Sequence, residues 1–354
     1  MMNATGRRGT EARRGEAGFT LMELVVALAI VAIMAGTIAP MAYNQVKRAR
    51  KDATLRELDT LTDGLLAFYE DTGRFPTEGE GLGALVGDPG VNGWQGPYVG
   101  DDHGAPVTAV TRDQFNHAYV YDVAPVTTPP GVADALIVSA GGDGAFTIGS
   151  LGSNWDLGAD EDDLLGIVSA GPVNREKTRI CIDEMEAIGD AAWNYYEDRA
   201  VFPGDLSQIA STYMDPGVDN AGFIDPWNRA YDLVVVTTGS LPPTLTVRSF
   251  GPDRQDDNGG DDDLDLDVSA IPPGRKSTLW KLEIAQTSLN SQPALVLTGS
   301  WSVDRSALGL TSAFETDGWG RAFGINVASR AVYSAGPDGN AVLTGDNLPT
   351  GVGP

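Results

Sequence analysis

The sequence predicts an α+β protein: a long N-terminal transmembrane and stalk helix, then tandem small heads, each a helix packed on a small antiparallel sheet with a Gly-Asp-rich loop. Three observations predict it. Residues Leu24 to Val46 form a run of 23 residues without a charge. The amphipathic segment that follows ends at Phe75-Pro76 and returns 127 residues later. Two short blocks rich in Asp, Gly and aromatic residues each occur three times.

The apolar run comes first. At about 1.5 Å per residue it reaches about 34 Å as a helix, enough to cross a hydrocarbon core of about 30 Å. Basic residues flank it on both sides, Arg7 to Arg14 before and Lys47 to Lys51 after, so their number alone does not set orientation. Pro40 lacks a backbone donor and crowds the preceding turn, which predicts a kink.

Past Lys51, Leu55, Leu58, Leu61, Leu65, Leu66 and Tyr69 recur three or four apart and make one apolar helix face. The segment closes on Tyr69-Glu70-Asp71 and Phe75-Pro76; its second copy closes on Tyr196-Glu197-Asp198 and Phe202-Pro203. A turn block appears as Asp113 to Tyr119, Asp225 to Tyr231 and Asp317 to Phe323, each leading into a strand-like run. A loop block appears as Ser139 to Asp143, Ser249 to Asp253 and Ser334 to Asp338. The expected organisation is a leader over 1–18, a stalk over 19–51, and heads over 52–171, 172–271 and a shortened 272–354. Leu279 to Leu289 matches the first two helices poorly.

Charge excludes some functions. The chain has 24 basic and 49 acidic residues, of which 8 and 3 lie in residues 1–51. The remaining 16 and 46 give residues 52–354 a net charge of −30, a field that repels nucleic acid. Cys181 is the only cysteine and His103 and His117 the only histidines, so no intramolecular disulfide or Cys-based metal site can form. Cys181, spaced helically with Met185 and Ile188, reads as core. No Gly-x-Ser-x-Gly elbow exists, and Gly171 to Thr178 carries Glu176 where a phosphate loop needs its second glycine. Neither an enzyme nor an organic cofactor is expected.

The order around the apolar run is the reverse of a secretory signal: the Gly18-Phe19 junction precedes it. Gly18-Phe19-Thr20-Leu21-Met22-Glu23 and the run behind it resemble the class III signal of type IV pilins and type II secretion pseudopilins. The resemblance implies that a prepilin peptidase cuts after Gly18 and methylates Phe19, leaving 336 residues. It also implies that Glu23, a carboxylate costly in lipid, pairs with the Phe19 amine of a neighbouring subunit and guides assembly, and that Pro40 belongs to the family's stalk helix. Phe-Pro after the helix, the Asp-Pro-Trp-Asn turn and the Ser-x-Gly-Pro-Asp loop resemble the G-type pseudopilin, over most of residues 18–170 and in fragments to Gly345.

That family implies a homopolymer or a filament shared with other pseudopilins. The partners it implies are an inner-membrane assembly platform, an ATPase and an outer-membrane secretin. The protein would be single-pass in the inner membrane with periplasmic heads, driving protein export. A type IV pilus subunit, major or minor, and a membrane-anchored calcium-dependent binding protein are the alternatives. The family also implies calcium in the acidic loop. Hard oxygen donors suit Ca²⁺, which takes six to eight. The candidate ligands are Asp143, Asp160, Asp162 and Asp163 in the first loop and Asp253, Asp256, Asp261 and Asp263 in the second. The third loop, with Asp338 and Asp346, is the poorest in acids.

Overall fold

The computed structural model describes residues 20–100, 110–158, 162–210, 212–214, 223–239, 241–342 and 345–349. Helix α1 (Leu21–Thr72) is one unbroken helix of 52 residues, about 78 Å long. Thr20 starts it through a capping box: its side chain accepts from the Glu23 N–H while the Glu23 carboxylate accepts from the Thr20 N–H. The helix continues through Pro40. Every described residue before Ala53 is exposed; the first buried one is Thr54, and Leu58, Leu61, Leu65 and Phe68 then face the core. Gly73, at φ 74°, ends the helix with a left-handed cap, where a side chain is strained.

The C-terminal half of α1 packs on a sheet of β1 (Val120–Val123), β3 (Ala135–Ser139) and β5 (Leu164–Val168), all antiparallel with β3 central. Helix α2 (Gly171–Arg199) packs on β6 (Asp232–Val236), β7 (Thr244–Ser249) and β8 (Leu264–Ser269), with the same order and sense. Helix α3 (Ile271–Ser291) packs on a hairpin of β9 (Gly324–Asn326) and β10 (Ala331–Tyr333), with α4 (Trp301–Ala307) beside it.

The outer faces of the two three-stranded sheets differ for a chemical reason. In the first, Leu136, Val138 and Leu165 point away from α1 and are covered by Phe146, Ile148, Trp155 and Leu157 from the long loop between β3 and β5. That cover contains a short pair, β2 (Thr127–Thr128) with β4 (Trp155–Asp156), and this pair is parallel, which corrects the purely antiparallel expectation. In the second sheet the corresponding positions hold Thr246, Arg248, Asp265 and Asp267. They form a polar ladder: Thr246 donates to Asp267 at 2.6 Å and Arg248 to Asp265 at 2.7 Å. A polar face needs no apolar lid, and the 14 residues between β7 and β8 are ten fewer than the 24 between β3 and β5.

One continuous core runs through α1, α2 and both three-stranded sheets; a second surrounds α3. The seam of the first two units is bonded to the end of α1. Lys177 donates to the Glu70 carbonyl at 2.6 Å and to that of Pro226, and Asn228 donates to the Asp71 carbonyl at 2.8 Å. Two carbonyls that the helix end would leave open are thereby satisfied. Asn174 accepts from both the Tyr69 hydroxyl and the Trp227 indole.

The third helix matches the first two in position though not in residue type. Gln114 donates its backbone N–H to Thr54 at 3.3 Å, and Gly318 donates its own to Thr278 at 2.8 Å. Taking Thr54, Cys181 and Thr278 as equivalent aligns Leu58 with Met185 and Leu282, Leu61 with Ile188 and Ala285, and Leu65 with Ala192 and Leu289, all buried.

Candidate functional site

At the N-terminal end, Gly18 and Phe19 lie outside the described residues. Glu23 is described, and its carboxylate is held by Thr20, from the backbone and from the hydroxyl at 3.2 Å each. In the sequence alone Glu23 reads only as an acid awaiting a partner. The Thr-x-x-Glu spacing of a capping box was nevertheless present in Thr20 to Glu23.

The strongest recurrent geometry lies where the turn block meets the loop block. Asp113, Asp225 and Asp317 are all buried. In each, one carboxylate oxygen accepts the N–H groups two and four residues on, at 2.8–3.0 Å: Phe115 and His117, Trp227 and Arg229, Trp319 and Arg321. The other oxygen accepts a serine hydroxyl at 2.6 Å from Ser139 and at 2.7 Å from Ser249 and Ser334. Each serine oxygen in turn accepts the N–H of Gly141, Gly251 or Gly336. These glycines adopt φ of 57°, 58° and 73°. A Cβ on any of them would come within 2.5 Å of the carbonyl oxygen of Asp162, Asp262 or Asp346, so glycine is required twice over. Burial raises the Asp225 carboxyl above the ordinary range, and these bonds only partly offset it. The repeated blocks are legible in the sequence; the bonding of Asp to Ser is not.

The buried Asp-Ser-Gly chain fixes the acidic loops. Asp162, Asp262 and Asp346 accept the N–H of Gly142, Asp253 and Asp338 respectively. The next residue holds the loop from the other side. Asp163 accepts from Thr147 and Ile148, and Asp263 from Asp257 and Gly259, whereas Asn347 donates to the Ala341 carbonyl at 3.1 Å. Buried oxygens of Asp163, Asp262 and Asp263 have no hydrogen-bond partner.

The candidate ligands therefore separate. Asp253 comes together with Asp257 and Asp262, one carboxylate oxygen of each lying within 4.8 Å of the other two. Asp256 instead pairs with Arg248 at 3.1 Å. Asp261 is exposed beside the cluster, and Asp263 braces the loop while keeping one buried oxygen free. In the first loop Asp143 caps Ala145, Asp162 lies 3.8 Å from Lys47, and Asp160 is outside the described residues. Desolvation, reinforced by neighbouring carboxylates, raises Asp257 and Asp262 above the usual carboxylate range. Crowded acids with unpartnered buried oxygens are a donor set that fits a hard divalent cation.

Part of the chain matches known proteins in sequence. The family described as Type II secretion system (T2SS), protein G matches residues 41–163, and the Prokaryotic N-terminal methylation motif matches residues 13–39. The Type II secretion system core protein G of Aeromonas hydrophila is 25% identical over 150 residues, covering 42% of this chain and 92% of that protein. The protein of the same name from Escherichia coli K12 is 23% identical over 155 residues, 44% of this chain and 92% of its own length. That of Dickeya chrysanthemi is 33% identical over 76 residues, 22% of this chain and 50% of its own. No solved structure matches. Over residues 13–163, where the methylation motif runs into the protein G match, the chain resembles the type II secretion pseudopilins.

Proposed function

We propose that the chain is a structural subunit of a type II secretion pseudopilus, cleaved after Gly18, methylated at Phe19 and anchored in the inner membrane with its heads in the periplasm. One observation carries this reading: the methylation motif runs without interruption into the helix of a protein G head. Other pseudopilins, a prepilin peptidase, an assembly platform with its ATPase and a secretin are the partners it requires. Glu23 supplies the registering charge. In the single chain its carboxylate rests on Thr20, so assembly exchanges a local cap for the amine of a neighbour.

The helix-sheet units around α1, α2 and α3 are three tandem heads. The recurring Asp-Ser-Gly bonds and the common helix positions support that reading. Asp253, Asp257 and Asp262, with the free oxygen of Asp263, would hold Ca²⁺ in the second head; Asp162 and Asp163 are the first head's counterparts. Bound calcium would supply positive charge to crowded carboxylates. The third head replaces the bracing acid by Asn347.

The test is the intact mass and N-terminal sequence of protein taken from membranes of a host with a prepilin peptidase. A chain starting at methylated Phe19 is expected, and Glu23→Ala is expected to insert but not assemble. A chain retaining residues 1–18, or a Glu23→Ala variant that still forms filaments, would overturn the reading.

A further inference from the structure

Just beyond the apolar run, α1 carries Lys47, Arg48, Arg50 and Lys51, all exposed. Among the described residues only Lys47 makes an ion pair, with Asp162 at 3.8 Å; Arg48, Arg50 and Lys51 make none. Tyr43, 71% exposed, lies on the same helical stripe as Lys47, Arg50 and Lys51, which are four, seven and eight residues on. If Leu24 sits at one edge of the hydrocarbon, Tyr43 lies about 29 Å along the helix, at the other edge of a core about 30 Å thick. Tyrosine is suited to that level, with an apolar ring and a wet hydroxyl. Lys47 to Lys51 then fall about 6–12 Å further out, from the headgroup layer to the charged surface just above it.

The heads make this placement consequential. Residues 52–354 carry a net charge of −30, and the first acidic loop hangs directly over the collar: a Cβ on Gly142 would be 2.8 Å from the Lys47 side chain. Without cations at this level an acidic head would be repelled from an anionic bilayer.

We infer that Tyr43, Lys47, Arg48, Arg50 and Lys51 form a collar that binds the phosphates of anionic phospholipid headgroups and holds the first head close against the membrane. The inference rests on the reading that α1 spans the bilayer. Each cation near an anionic surface strengthens binding by about fivefold.

The test uses the full chain carrying Tyr43→Trp in vesicles of phosphatidylcholine and phosphatidylglycerol, with one or the other lipid brominated. Quenching is read as the difference from the protein without Trp at 43. Brominated phosphatidylglycerol is expected to be preferred over brominated phosphatidylcholine by at least about tenfold at low salt, the preference shrinking as salt screens it. It is expected to vanish when Lys47, Arg48, Arg50 and Lys51 are all changed to Gln, while quenching by both lipids persists. Equal quenching by the two headgroups in the parent, or a preference that survives the four changes, would overturn the collar. No quenching by either lipid would overturn the spanning reading itself. Loss of self-association on the four changes, with no lipid preference in the parent, would reassign the cations to the acidic heads of a neighbouring copy.

Discussion

Asp317 and its counterparts Asp113 and Asp225 each hold three donors with one carboxylate, two backbone N–H groups and a serine hydroxyl. Removing the acceptor strands them. Asp317→Ala is expected to cost roughly 2–4 kcal/mol, measured by denaturant unfolding, and Asp317→Asn distinctly less because the amide oxygen can still accept both N–H groups. Arg74 and Glu80 make a second test. The Arg74 guanidinium, bonded at 2.7 Å, pulls the Glu80 carboxyl down to about 2. A depressed carboxyl contributes stability above its unfolded pKa of about 4.5 that is lost as pH falls toward 2. Glu80→Gln should therefore destabilise at pH 7 by roughly 1–2 kcal/mol and show little difference from the parent near pH 2, by thermal melts at both. At position 226 the turn carries proline, which has no N–H to give, and the helix position opposite holds Cys181 where Thr54 and Thr278 accept such a bond. Changed acceptor and missing donor go together.

At the scale of the element, what the sequence made legible was whatever depends on spacing. The α1 and α2 segments could be matched because Tyr-Glu-Asp and Phe-Pro survive in both. The α3 segment kept the spacing of buried positions but changed their occupants, so identity faded while Thr278, Leu282, Ala285 and Leu289 went on filling the same roles. The parallel β2–β4 pair and α4 had no local signal. The first depends on Trp155 seating under β1, where its indole donates to Asp122 at 2.7 Å, a contact across 33 residues. In the second acidic loop, composition marks the stretch where carboxylates gather but cannot choose among its aspartates. Backbone geometry turns Asp257 and Asp262 toward Asp253 while Arg248 claims Asp256. Calcium is expected to raise the melting temperature, and Asp257→Asn with Asp262→Asn to abolish most of the second loop's share, whereas Asp256→Asn should leave it. A raised carboxyl binds its proton more tightly when folded, so in chelator the parent should gain stability relative to that double variant as pH falls from 7 toward 4. With calcium present the trend should reverse, since protons then displace the cation. Melts in chelator and in calcium at both pH values check this.

For the whole molecule, the shared core of the first two units and the separate core around α3 predict two unfolding transitions by calorimetry. The first two units should melt together and α3 with its hairpin apart. Lys177→Met should bring the shared transition down by roughly 1–3 kcal/mol, because the carbonyls of Glu70 and Pro226 lose their donor inside the seam. The junction of α2 and α3 is held differently, by Lys276 on Glu197 at 2.8 Å and by the Trp319 indole on the Ala270 carbonyl at 3.0 Å. The first of these is exposed and screened by salt. High salt should loosen the third unit and leave the first two coupled.

The end of α1 has a mechanical meaning. The exposed N-terminal stretch and the first unit share one helix, and the far tip of that helix is gripped by Lys177 and Asn228 of the second unit. Tension on the N-terminal end therefore travels along about 50 Å of helix before it reaches the first buried residue, Thr54. From there the first sheet bears it along the helix face and the second unit bears it at the tip, so load is shared over the packed half of the helix rather than peeled one strand at a time.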